Sequence, residues 1–211
     1  MKAFNSKTVT FKYGDALKAM IDLQNKYSVQ PTASLDYSSQ VEKLFSTGKV
    51  AMIQQGNWVA PTIDGIDKDF AENGIGILPY PVKGYKEDCY PMGVPNYWAV
   101  NVTKSADVQK TAKDFLDWLY TSDEGKKIVS EQFKFIPAYK GYSTDSVKEP
   151  LGKTILAAAN AGKTYGWVFP GYPNGWGMDK FGADVQLYVS GKLTWDKLVA
   201  NEEKAWADAR K

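Results

Sequence analysis

The apolar positions of this chain follow two rhythms, a helical one that dominates and a shorter extended one that interrupts it. From Asp15, the residues Leu17, Met20, Ile21 and Leu23 share one face of a helix that stops near Tyr27, ahead of Pro31. Ser38 and Ser39 are residues that cap helices, so a second, short helix is expected through Val41, Leu44 and Phe45, with Gly48 placed to reverse the chain. The strongest pattern opens at Asp107 and sets Val108, Ala112, Phe115, Leu116 and Leu119 on one side against lysines and aspartates on the other. A shorter helix restarts at Ser122, another runs from Pro150 to Ala159 and is stopped by Gly162, and two more lie around Val185 to Val189 and from the N-cap Thr194 to Trp206.

The extended rhythm predicts buried strands at Val50 to Ile53, Ile75 to Pro79 and Tyr97 to Val100, with Phe133 to Ala138 also extended. Tyr80 to Met92 reads as loop, and so does the aromatic, Gly- and Pro-rich stretch from Thr164 to Met178. Strands alternating with helices predict an α/β layered fold with parallel pairing. Three strands are few for such a sheet, whose mean is about five or six. The sheet is therefore expected to be incomplete here, finished by a segment not in this sequence or by another chain.

Composition removes whole classes of function. The 211 residues contain no His and one cysteine, Cys89, so zinc sites, internal disulfides and triads built on His are excluded. A formal charge of +2 is too small to argue for a nucleic-acid partner. Arg210 is the single arginine, which leaves little bidentate recognition of phosphate or carboxylate and favours a neutral ligand. No phosphate-binding glycine motif is present, no cofactor or metal is implied, and no apolar run reaches the roughly 18 residues that span a bilayer. The opening residues Met1 to Lys7 turn polar at once and show no secretion signal.

What remains is aromatic and amide chemistry. Sugar rings present apolar C–H faces and hydroxyl edges, so a sugar site pairs flat aromatic platforms with planar amides. Gln55, Asn57 and Trp58 lie together just past the carboxyl end of an expected strand, where open α/β sheets hold ligands. Asn96 with Tyr97, and Trp167, Asn174 and Trp176 in the late aromatic loop, complete the candidate set. Trp98, Trp118, Trp195 and Trp206 lie within regular elements and are expected in the core. Two other readings stay open. A glycoside hydrolase would draw paired carboxylates from Asp64, Asp67, Asp69, Glu87 and Asp88, although these sit in polar stretches with nothing to desolvate them, and a binding protein for another solute such as a peptide would use the same aromatics and amides.

Several segments, in order, carry a resemblance: Phe45 to Ile53, Gly56-Asn57-Trp58, Gly76 to Pro81, Gly93 to Asn101, Ala112 to Leu119, Thr121 to Gly125, and Phe135 to Ala138. Together they resemble the C-terminal half of extracellular solute-binding protein family 1, the maltose-binding-protein-like proteins of carbohydrate ABC transporters. The resemblance implies a periplasmic-binding-protein-like fold of type II, with 1–92 and 148–211 in the second lobe and 94–142 visiting the first, most of which would be missing. It implies a non-enzymatic protein outside the cell or in the periplasm that delivers a sugar or oligosaccharide to an ABC permease. It also implies that Trp58 stacks on a sugar ring, that Trp176 or Trp167 does the same, and that Asn96 and Tyr97 lie at the cleft floor.

Overall fold

Helices form where side-chain spacing demands them, while the expected strands find no neighbours to pair with. The computed structural model describes residues 6–80, 86–94, 97–137, 142 and 144–211. The chain divides into two compact units, Met1–Asp36 with Trp167–Lys211, and Tyr37–Gly166.

In the unit Tyr37–Gly166, a π-helix, Ser38–Phe45, buries Val41 completely. Its five-residue step is visible where the Ser46 N–H donates to the Val41 carbonyl at 2.9 Å, a bond the Ser46 hydroxyl reinforces at 2.7 Å. Ser38 does not cap the helix as expected, because its hydroxyl donates to the Glu42 carboxylate at 2.8 Å. Gly48 adopts φ +69°, which lets the Gly48 and Lys49 N–H groups close back on Phe45 and Leu44. The chain then runs to a 3-10 turn, Asn57–Val59, and α2, Ala60–Asp64, with Pro61 in the first turn, where its missing N–H costs nothing. Val41, Val59, Ala60, Ile63, Ala71 and Leu151 form the core here, and Phe45, Ile53, Phe70, Ile75 and Ile77 pack against it.

The three expected strands, at 50–53, 75–79 and 97–100, are corrected: among the described residues none of them joins a ladder. The first two keep the alternation of extended chain, since Ile53, Ile75 and Ile77 turn to the core while Met52 and Leu78 are more than 80% exposed. A strand is defined by its partner, and among the described residues nothing pairs with these segments. Sheet forms instead in two segments read as loop: β1, Tyr90–Met92, pairs in parallel with β2, Thr164–Gly166. Helices dominate, so the α/β expectation reduces to this one small ribbon.

α3, Ala106–Thr121, is the expected long helix, but only Leu119 is buried on it, and Val108 and Phe115 remain more than half exposed. Ser122 accepts the Gly125 N–H at 3.0 Å and caps α4, Asp123–Lys127. α5, Pro150–Asn160, is capped by the Glu149 carboxylate, which accepts from the Leu151 and Gly152 N–H groups at 2.6 Å each. Burial pushes the Glu149 carboxyl above its usual range, and those two donors partly oppose the rise. Lys134 pairs with Asp64 at 2.8 Å.

The other unit is built from α1, Gly14–Tyr27, α6, Ala183–Val189, α7, Trp195–Ala209, and a π-helix at Trp176–Gly182. The predicted N-cap Thr194 accepts the Lys197 N–H at 3.3 Å. Tyr188 of α6 donates to Asp22 of α1 at 2.6 Å, and Asp22 also pairs with Lys18. The interior is aromatic: Trp176 and Trp206 meet edge to face at 5.1 Å between ring centres, and Tyr172 stands edge-on to both.

Glu202 lies in this interior, 2% exposed, with Oε2 unpartnered. Burial first, and then the nearby Asp184 charge, raise its carboxyl to about 7, with Lys180 pulling the other way. Between its unfolded value of 4.5 and about 7, the folded state binds the extra proton, so stability is greatest at the acid end and falls as pH rises through this window. Glu202→Gln removes the titration. The variant is expected to melt higher than the wild type at pH 8, with a difference that shrinks toward pH 5, as thermal denaturation at the two pH values will measure.

Candidate functional site

The outward-facing segment of Gln54 to Trp58 is held at both ends by the core. Ile53 packs against that core on one side, and Val59 and Ala60 are buried in it on the other. Between these anchors Gln54 and Trp58 are exposed, while Gln55 and Asn57 are half-buried. Gly56 is extended, and its carbonyl accepts the Val59 N–H at 3.2 Å to close the 3-10 turn that carries Asn57 and Trp58.

Trp58 is 53% exposed, unusual for an indole, yet its orientation is fixed. The benzo ring lies directly on Gly56, where a Cβ would stand 2.3 Å from Cζ3, so glycine is required for this close approach. The indole N–H donates to Gln55 Oε1 at 3.0 Å, and Gln55 Nε2 donates to Gln40 Oε1 at 2.6 Å. Gln40 lies on the first turn of the π-helix Ser38–Phe45 and is half-buried, as are Gln55 and Asn57. Gln40 was missed from sequence because a glutamine in a helical turn carries no local sign of what it will meet 15 positions later.

The other predicted residues are placed differently. Trp176 is corrected: at 7% exposure it is a core residue, donating its indole N–H to the Glu202 carbonyl at 3.1 Å. Its ring is stacked on Phe181 and flanked by Tyr172 and Trp206, which leaves no face for a ligand. Trp167 and Asn174 belong to the same unit as Trp176; Trp167 is half-buried with its ring 5.0 Å from Phe169, and Asn174 is exposed. Tyr97, in the unit of Trp58, is 82% exposed, and Asn96 lies outside the described residues. Trp98, expected in the core, is 57% exposed and donates to the Tyr120 hydroxyl at 2.6 Å, whereas Trp206 is buried as expected.

Three of the five candidate carboxylates make structural bonds. Asp64 is paired with Lys134, Asp67 accepts the Phe70 N–H at 2.9 Å, and Asp69 accepts from Asn73 at 2.9 Å. Among the described residues no group of three His, Cys, Asp or Glu side chains is arranged to hold a metal ion. An open hollow lined by Asp145, Val147, Lys148 and Lys153 contains none of the predicted residues. Among the described residues no helix is long and apolar enough to cross a membrane.

Comparison with protein families matches residues 2–154 to the bacterial extracellular solute-binding proteins. The chain belongs to that family. It is accordingly a binding protein and not an enzyme, with a solute as its ligand and an ABC transporter as its partner, in a family that works outside the cell membrane. Comparison with curated proteins gives no match.

Gly56→Ala tests how this solute-binding chain sets its indole. The new Cβ is expected to drive Trp58 off the Gly56 backbone and break its bond to Gln55, shifting the Trp58 indole N–H resonance. Because the ring is half-exposed, stability is expected to fall by no more than about 1 kcal/mol in denaturant titration.

Proposed function

We propose that the solute is a neutral sugar or oligosaccharide, and that this chain passes it unchanged to the transporter's permease. The observation that carries this reading is Trp58: a broad indole surface left 53% exposed while its edge is tethered by a side-chain amide. An exposed, oriented indole costs hydrophobic burial, and stacking against the C–H face of a pyranose recovers it while contributing about 1 kcal/mol beyond the area covered. Gln55 and Asn57 beside it supply planar hydrogen-bonding groups suited to ring hydroxyls. A single arginine and the absence of His support a neutral ligand over an anionic one.

In this reading the chain is the C-terminal half of a type II, maltose-binding-like protein, whose ligand is enclosed between lobes. Residues 1–92 and 148–211 then belong to the second lobe, and 94–142 contribute to a first lobe supplied from elsewhere. What supports a further lobe is the exposed apolar row on α3, Val108, Phe115 and Trp118, together with the exposed Tyr97 and Val102 before it. Tyr97, Trp167 and Asn174 remain contacts on the strength of residue type and accessibility, and Asn96 on residue type alone. Trp176 drops out, because its faces are covered.

Isothermal titration against neutral mono- and disaccharides, with tripeptides alongside, tests the reading. Heat is expected from one or more sugars, with Trp58→Ala weakening binding about tenfold or more and leaving the melting temperature close to that of the wild type. Sugar binding that is indifferent to Trp58→Ala removes Trp58 from the site, and binding of tripeptides alone overturns the sugar.

A further inference from the structure

The interior around Trp176 has one wall that is held less firmly than the others. Of the residues Trp176–Gly182 only Trp176 is buried, and Met178, Asp179 and Lys180 are exposed. Their π-helix is a rare geometry, met mostly as single turns at functional positions. Glycine stands at positions 175, 177 and 182, and Gly175 adopts φ +73°, so the segment is bracketed by points where the backbone turns at little steric cost. Its aromatic anchor is tied to α7 by the Trp176 indole N–H, which donates to the Glu202 carbonyl at 3.1 Å. α6 is fastened on two sides: Asn201 of α7 donates to Asp184 at 2.8 Å, and Tyr188 donates to Asp22 of α1 at 2.6 Å.

Glu202 lies on α7 where this wall meets it, 2% exposed and with Oε2 unpartnered. As a neutral acid it leaves one polar atom unmet. As a carboxylate it is a buried charge with no donor at Oε2, a far costlier state. The charged groups on the elements packed against α7 do not lift that cost. Asp184 of α6 opposes ionisation, and the exposed Lys180 of the π-helix favours it by less. Asp179 is turned to Gly175, Lys18 and Asp22 of α1 pair with each other, and Arg210 donates to the Gly171 carbonyl and lies over the Trp206 ring. An ionised Glu202 is therefore relieved by water, and the π-helix is the wall that can yield to admit it.

We propose that Trp176–Gly182 is a proton-gated flap, closed on α7 while the Glu202 carboxyl is protonated and released on its glycines when that carboxyl ionises, which uncovers Trp176. The sign follows from burial: the closed state binds the extra proton, so closure is strongest on the acid side and is lost as pH rises through about 7. The device is independent of which solute the chain binds. It makes exposure of one indole answer to the pH outside the cell membrane, where this family works.

Hydrogen–deuterium exchange of the full chain at pH 6 and pH 8, with each rate divided by the unprotected rate at that pH, tests the flap. In the wild type, protection of 176–182 is expected to fall about tenfold between the two pH values, and at pH 8 to lie about tenfold or more below that of α1 and α7. Glu202→Gln is expected to abolish the pH step and keep the segment protected. Asp184→Asn, which removes the charge opposing ionisation and can still accept from Asn201, is expected to shrink the step. A step that survives in Glu202→Gln overturns the proposal, because another group is then the sensor. Protection of 176–182 equal to that of α1 and α7 at pH 8 also overturns it, since the segment then opens only when the whole unit unfolds.

Discussion

Every feature of the candidate site depends on two anchor points in one small core. Ile53 packs against the cluster around Val41, and Val59 and Ala60 are buried within it, so the few residues between them are stretched along its surface with no room to fold inward. That constraint is what exposes Trp58. An indole left to itself gains by burial, on the order of 25 cal/mol for each Å² removed from water, and a chain free to turn would tuck it in. Here the backbone is held at both ends, and the ring lies on the bare surface of Gly56 with an amide accepting from its N–H.

Trp176 shows the opposite outcome for the same side chain in nearly the same local sequence. Trp58 follows Gly56-Asn57 and Trp176 follows Asn174-Gly175, and each lies at or next to the start of a helical turn. Trp176, however, lies beside α7, where Trp206 and the Glu202 carbonyl meet its ring and its N–H, and it becomes the centre of an aromatic interior. Glu202 is buried in the same unit with one carboxyl oxygen unpartnered, and that burial, followed by the nearby Asp184 charge, raises its carboxyl to about 7.

Membership of the solute-binding family gives these local observations a role without specifying the solute. The sign of the hydrogen bonds is decided by chemistry more general than the family, because an indole that can only donate dictates the orientation of each amide after it. A site of this kind is selective by geometry and polarity and has no need of charge, in keeping with a chain that has one arginine and a net charge of +2.

The sequence by itself determined the helices, their caps and the classes of chemistry the chain cannot perform. Periodicity places α1, α3, α5 and α7 within a few residues, and Ser122 and Thr194 cap as their types require, because these are interactions within a turn or two of the chain. The closeness of Gln55, Asn57 and Trp58 was readable for the same reason, since they are near neighbours in sequence. Strands were not, since the alternation of Ile75, Gly76, Ile77 and Leu78 fixes which side chains face inward but a ladder needs a distant partner that no local pattern names. Only the tertiary structure decided that Gln40 completes the amide chain and that Trp176 is enclosed. Both depend on contacts across 15 and 26 positions respectively, and a side chain's burial is a property of what folds against it.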